Sequence, residues 1–398
     1  MNRAIHNHSI GHARVLMVLQ APYPPERGGG AEAQVRTLTR TMTQRGVQVA
    51  VVAPLADHAP QVTMSQVDGV PVYRLRYPRV RFIGGLTLWV SLAMFLFRHR
   101  HDFDVWHVHV ARQWGAICAL LGPWLGKRVV IKVSGAWDLV GGALASDAGW
   151  GGHLMQRVLR RADAWQAVSQ RIATMLVARG IPPTRIAAIP NAVDTARFLP
   201  PLRPSIRPVR FLFIGRLVRE KGLPSLLAAF ADIAPLHPDA SLVIVGTGPQ
   251  RDILEADVQA LGIADRVTLA GHHSDIQELL AQATIGVLPS RTEGLSNALL
   301  ECMASGLPMI ASRISGNEDF VRPGENGWLF EVGDRSGLAR CLAEAALLGP
   351  DPWRAMSESA RATVVRQAGL DGVLNGLAAL YHGDPLTVAT AAVPDGSA

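Results

Sequence analysis

Along this chain, short runs of buried-type residues alternate with stretches whose apolar positions recur every three or four residues. That is the pattern of strands and helices in parallel α/β architecture. In the first half, the runs at 15–19, 47–52, 72–75, 105–108, 129–133, 164–167 and 187–189 predict strands, with helices such as 33–45 and 156–162 between them. At 200–208 four of nine residues are proline and the alternation stops. It begins afresh with strands at 210–214, 241–245, 266–269, 285–288 and 309–311, then closes on a helical stretch at 352–381 with no strand behind it. The prolines mark a linker. The expected organisation is a first domain over 1–200, a linker over 201–208, a second domain over 209–350, helices over 351–382 that return to the first domain, and a frayed tail over 383–398. Nothing repeats at a period of about 20 to 50 residues, which excludes a solenoid.

Length agrees with two domains, because 398 residues exceed what one ordinary core fills. Two α/β domains of similar size imply a cleft between them. The three cysteines, Cys118, Cys302 and Cys341, are odd in number and far apart. They form neither a disulfide framework nor a zinc spacing, so a reducing, cytoplasmic setting is expected. The apolar run at 15–19 ends at Gln20 and Pro22, far short of a signal-peptide core, and reads as a first buried strand. The longest apolar stretch, 82–97, has 16 residues with two glycines near its start. It falls below the roughly 20 needed to span a bilayer and predicts a buried or surface-lying helix.

Charge adds an asymmetry. The net charge is +7, yet residues 1–200 hold 23 Lys and Arg against 10 Asp and Glu, whereas 201–398 hold 16 against 22. The first domain therefore faces something anionic, or else carries a merely solvated basic face. Few aromatics interleave with the basic residues and no nucleic-acid motif occurs, which favours a membrane surface or lipid phosphate over nucleic acid.

Candidate chemistry sits where predicted strands end. Pro24-Pro25-Glu26-Arg27-Gly28-Gly29-Gly30-Ala31-Glu32 follows the first strand and opens a helix. Its glycines let backbone N–H groups approach a phosphate or sugar, a tight turn being the plain alternative. The GxGxxG dinucleotide fingerprint is absent. Gly215-Arg216-Leu217-Val218-Arg219-Glu220-Lys221-Gly222 follows the first strand of the second domain, and its cations suit a diphosphate. Glu293-Gly294-Leu295-Ser296-Asn297-Ala298-Leu299-Leu300-Glu301 predicts a helix capped by Ser296 or Asn297, with Glu293 left in the loop and Glu301 inside the helix. Amides at that helix start would be open to phosphate. Gly246-Thr247-Gly248-Pro249 is another strand-end turn. His107 and His109 share one side of their strand, but no third ligand accompanies them, so no metal is expected. Asp102-Phe103-Asp104 precedes its strand and so lies at the wrong edge for a metal–diphosphate motif.

In combination, these stretches resemble glycosyltransferase family four. The matching residues are Gly215-Arg216 with Glu220-Lys221-Gly222, Val245 to Pro249, Pro289 to Gly294, Glu301 to Pro308, Gly324 to Gly327, Ile189 to Asp194 and the glycine loop before Glu32, so the likeness covers roughly residues 14 to 380. The resemblance implies a GT-B fold of two Rossmann-like parallel-sheet domains and retaining transfer from a nucleotide diphosphate-sugar, with no cofactor or metal. Arg216 and Lys221 would hold the donor diphosphate, Glu293 the transferred sugar and Glu301 the ribose. Gly294, Leu295 and Ser296 would offer amides, with Gly215, Gly246 and Gly248 also at the donor. Gly28, Gly29, Gly30, Glu32 and Ser134 would form the acceptor and phosphate loop. Such enzymes often carry a His after the strand at 129–133, where this chain reads Ser134, and His109 is expected to support the reacting groups instead. Transfer in this family is described as front-face, the leaving phosphate helping to deprotonate the acceptor. Ala192 replaces a frequent Gly. The implied partners are a nucleotide sugar and a glycan or lipid-linked acceptor, with peripheral contact at the inner membrane face and no nucleic acid. A nucleotide-sugar epimerase on the same plan, a non-catalytic binding module and a DNA-binding protein are the rival readings.

Overall fold

The computed structural model describes residues 13–24, 29–55, 64–76, 83–135, 150–201, 205–273 and 275–384. The chain divides into two compact units, one of residues 1–190 with 373–398 and one of 191–372.

The first unit runs β1 (Val15–Val18), α1 (Gly30–Gln44), β2 (Val49–Pro54), β3 (Met64–Val67), β4 (Val70–Leu75), α2 (Ile83–Arg98), β5 (Val105–Val108), α3 (Gln113–Leu121), β6 (Arg128–Val133), α4 (Trp150–Leu159), β7 (Ala164–Ala167), α5 (Gln170–Ala178) and β8 (Ile186–Ala188). Its eight strands lie in the order β3-β4-β2-β1-β5-β6-β7-β8. All pairs are parallel except β3 with β4. Central β1 is buried along its whole length, which is why it reads as an unbroken apolar run. Strand β3 lay outside the sequence reading because it is an edge strand whose side chains are exposed or half-buried. It is tied to β4 by Asp68-Gly69, both at positive φ (51° and 78°), the two-residue turn that suits a twisted hairpin.

The second unit runs β9 (Arg210–Ile214), α6 (Leu223–Ile233), β10 (Ser241–Val245), α7 (Arg251–Ala260), β11 (Val267–Gly271), α8 (Gln277–Gln282), β12 (Ile285–Leu288), α9 (Asn297–Ala304), β13 (Met309–Ser312), α10 (Ser315–Phe320), β14 (Gly327–Phe330), α11 (Arg335–Leu347) and α12 (Pro350–Ala368). The sheet order is β11-β10-β9-β12-β13-β14, parallel throughout. Strand β14 was not foreseen; it opens on Gly327, where a side chain would meet the Met309 carbonyl oxygen at 2.1 Å.

Two expected boundaries shift. The break falls after Pro190 rather than at the prolines. Residues 191–200 are fastened to the second unit: Val193 N–H donates to Ala368 O at 2.9 Å, Phe198 is buried, and the Arg361 guanidinium donates to Phe198 O at 2.8 Å. Within the proline stretch, Arg207 donates to Ala346 O at 2.6 Å. The closing helix is also two helices, α12 and then α13 (Leu370–His382), with Gly369 between them. Only residues from 373 onward join the first unit, where Arg128 donates to Leu380 O. Helix α12 stays with the second, its Trp353 indole donating to Thr284 O at 2.9 Å.

In each sheet the strand order reverses direction at one place, between β1 and β5 and between β9 and β12. Parallel sheets bind ligands beyond the carboxyl ends of strands at such reversals.

Candidate active site

In the second unit the loops after β9 and β12 carry the predicted donor residues, and the fold brings them together. Lys221 Nζ lies 2.6 and 2.7 Å from the two carboxylate oxygens of Glu293. Their side chains are only 13% and 15% exposed, so this is a largely desolvated pair. The loops are also joined by backbone: Arg291 N–H donates to Glu220 O at 2.7 Å. Gly222, at φ +67°, closes the 219–221 turn, and a side chain there would strike Pro289 O at 2.2 Å. The Lys221 stem crosses Gly215, its Cε 3.6 Å from where a Cβ would stand. Next in sequence is Arg216, exposed.

Gly246 and Gly248 are required by the packing of the backbone. The turn after β10 presses on the Arg216 loop: Gly215 N–H donates to Val245 O and Leu217 N–H to Thr247 O, each at 2.9 Å. A Cβ on Gly246 would sit 1.8 Å from Gly215 O, and one on Gly248 2.3 Å from Leu217 O. Glycine is needed here because two backbones touch.

Helix α9 starts as its sequence predicts, with Ser296 at the N-cap and its side chain not bonded to the first amides. Those N–H groups have no partner within the helix and carry its positive end. Leu299, Leu300, Cys302 and Met303 bury the inner face. Glu301 lies one turn in, half-buried. Loss of water pushes its carboxyl up to about 7, against the opposing pull of Arg197. Buried Asn191 holds the helix entry, donating to Leu295 O at 3.0 Å and to Asn297 Oδ1 at 2.9 Å. Gly316 N–H donates to Gly294 O at 2.8 Å, so the start of α10 supports the same turn.

The remaining predicted residues stand in the first unit. Gly28 lies outside the described residues. Gly29 caps α1, and a side chain there would lie 1.9 Å from a Glu32 carboxylate oxygen, so Glu32 folds back over the helix start. Gly30 opens that helix. Beside this loop Gln20 links the end of β1 to α3, donating to Gln113 Oε1 at 2.9 Å. His109 N–H donates to Val18 O at the end of β1, but its ring is wholly buried, with Nε2 3.2 Å from Met17 Sδ and the His107 ring stacked 4.4 Å away. Burial, with His107 and Lys132 nearby, drives its pKa well down, so it stands neutral. This is the environment of a positioning group, not of one open to a substrate. His107 Nδ1 meets the Tyr381 hydroxyl at 2.8 Å. Ser134 Oγ is buried without a hydrogen-bond partner among the described residues. Asp104, of the discounted DxD, pairs with Arg14 at 2.7 Å.

Residues 28–197 match the family described as Glycosyltransferase Family 4, and residues 208–346 match Glycosyl transferases group 1. The chain belongs to glycosyltransferase family 4. The glycosyltransferase is 28% identical to the N-acetyl-alpha-D-glucosaminyl L-malate synthase of Bacillus anthracis over 71% of this chain and 75% of that one. It is 27% identical to the glycogen synthase of Mycobacterium tuberculosis over 83% and 85% of the two chains. Among solved structures, it resembles Anabaena HepE in complex with UDP (TM-score 0.74, 19% identity, 92% of this chain and 98% of that one). It also resembles the sucrose-phosphate synthase of Thermosynechococcus elongatus (TM-score 0.76, 22% identity, 93% and 98%). The fold is GT-B.

Three residues of the glycosyltransferase's site escaped a role in the sequence reading. Asn191 sits in the quoted Ile189 to Asp194 stretch, but a sequence does not show that an amide 104 positions away from Leu295 will hold its carbonyl. Arg197 acts on Glu301 only through space. Gly316 had one legible signal, being a glycine just after a predicted strand end.

Proposed function

We propose that this glycosyltransferase moves a sugar from a nucleotide diphosphate-sugar to an acceptor hydroxyl with retention of anomeric configuration. The observation that carries the reading is the Lys221–Glu293 pair, which joins the loop that carries Arg216 to the loop that leads into α9. Arg216, Lys221 and the α9 amides hold the diphosphate, Glu293 accepts from sugar hydroxyls and Glu301 from ribose hydroxyls. As the anomeric carbon–oxygen bond breaks, its electron pair moves to the leaving phosphate oxygen, and the cations meet the charge that grows there without a metal. The acceptor oxygen bonds to the anomeric carbon from the same face, and its proton passes to that phosphate. Enclosed His109 supports the end of β1, while Gly28 to Gly30, Glu32 and Ser134 serve acceptor and phosphate. The acceptor is a lipid-linked or surface-polysaccharide glycan intermediate handled in the cytoplasm at the inner membrane face. A Salmonella typhimurium relative named for colanic acid biosynthesis, 28% identical over 57% of this chain and 58% of its own, supports a polysaccharide setting.

A mass-balance assay tests the reading, with UDP-sugars as first donors because UDP occupies HepE. Product should form only with acceptor present, and nuclear magnetic resonance should show the donor's anomeric configuration in the product. Glu293→Gln should abolish turnover and keep UDP binding. Conversion of donor without acceptor would make the chain an epimerase and overturn the proposal.

A further inference from the structure

We propose that the outward face of α2 docks on an anionic membrane surface. The helix is apolar on both sides. Inward, Leu92, Phe95 and Leu96 are buried, with the Phe95 ring 5.0 Å from Tyr73 and 4.4 Å from His99. Outward, Leu86, Trp89, Val90, Met94 and Phe97 are 58%, 40%, 48%, 61% and 58% exposed. At about 100° per residue these five fall in one sector of roughly 140°. Single exposed apolar residues are ordinary on a protein surface, whereas a continuous stripe marks a binding face.

Charge selects the occupant. Between residues 69 and 101 the sequence holds six arginines, Arg74, Arg76, Arg79, Arg81, Arg98 and Arg100, and no Asp or Glu. Arg98 ends the helix, exposed. The Arg100 guanidinium lies 4.5 Å over the Phe97 ring. Arg76 is exposed, and its carbonyl accepts from Ser91 Oγ at 3.3 Å, which seats this arginine beside the helix. The first acid beyond, Asp102, lies 2.6 Å from His99 Nδ1. An apolar stripe with Trp89 at its side and arginines around it, free of acids in sequence, complements apolar acyl chains beneath anionic headgroups. Among the described residues no helix is long and apolar enough to cross a membrane. Helix α2 therefore lies along the interface.

Vesicle co-sedimentation tests this, and its readout needs neither donor nor acceptor, so failure of the transfer reading leaves it standing. Wild-type protein should partition onto phosphatidylglycerol–phosphatidylcholine vesicles about tenfold or more above pure phosphatidylcholine, and lose that preference at high salt. The double variant Leu86→Ser with Met94→Ser, and separately Arg98→Glu, should each weaken partitioning about tenfold with an unchanged melting temperature, since all three side chains are solvent-facing. Equal partitioning of wild type and variants, or no preference for the anionic vesicles, would overturn the proposal. So would sedimentation velocity showing a wild-type dimer that the double variant dissociates, which would give this face to a second copy of the chain.

Discussion

Replacing Gly246 by alanine should disable the site from a position that holds no charge and no reacting group. The backbone there has φ +139°, a region open essentially to glycine alone, and the new Cβ would stand 1.8 Å from Gly215 O. Strain of this kind costs about 1–3 kcal/mol. An ordinary contact also requires more than 3.0 Å, so one backbone must move by about 1 Å. The cheapest movement displaces Gly215 to Leu217, and Arg216 with it. A misplacement of about 1 Å at a reacting centre costs on the order of 100-fold in rate. Scanning calorimetry should show a melting temperature lower by roughly 5–10 °C, with kcat/KM down about 100-fold. Gly262→Ala is the control: φ is +67°, yet nothing lies within 4 Å of the new methyl. It should lose some stability and keep kcat/KM. Wild-type kinetics in Gly246→Ala, or equal kinetic loss in both variants, would refute the claim that the 246–248 turn sets the Arg216 loop.

Lys221→Met leaves Glu293 desolvated without its partner and should destabilise the second unit by about 2–4 kcal/mol in urea unfolding, more than Glu293 and Lys221 replaced together by Gln and Met. Glu301 should make nucleotide-sugar affinity depend on pH. Its carboxyl is pushed up to about 7 in the free protein, and ribose hydroxyls prefer the ionised form, so calorimetric affinity should rise with pH through about 7 in wild type and stay flat in Glu301→Gln. Stability without ligand should move oppositely: between the ordinary 4.5 and about 7 the folded chain keeps a proton that the unfolded chain has released, so stability falls as pH rises across that window. Burial pushes the Lys132 amine down to about 7. The folded chain then holds fewer protons than the unfolded one between about 7 and the ordinary 10.5, so stability should rise with pH over that range in wild type and not in Lys132→Met.

Much of the second unit was legible because its inner strands are largely buried on both faces and its site residues lie at their ends. The runs at 210–214, 241–245 and 285–288 coincide with β9, β10 and β12, and α9 starts where its sequence predicts, with Ser296 at the N-cap position though its hydroxyl makes no capping bond. The edge strand β3 was not legible, since it buries too little to leave an apolar run. The proline stretch read as a linker because composition reports stiffness, whereas the contacts of Val193, Phe198 and Arg207 that assign 191–208 to the second unit are all long-range. His109 was legible as a strand-end histidine, but its depth depends on Met17 and on His107, which α13 reaches from more than 270 positions away through Tyr381. Likewise the glycines at 246 and 248 announced a turn, and only the fold shows that the turn rests on the Arg216 loop.

The central claim is that Arg216, Lys221 and Glu301, from three separate stretches of one unit, hold a single nucleotide diphosphate. Isothermal titration of UDP into the wild-type chain and into Arg216→Ala, Lys221→Met and Glu301→Gln tests it most directly. Saturable binding to wild type, weakened about tenfold or more in each variant while the fold is retained, is the predicted result. UDP binding that none of the three substitutions alters would contradict it.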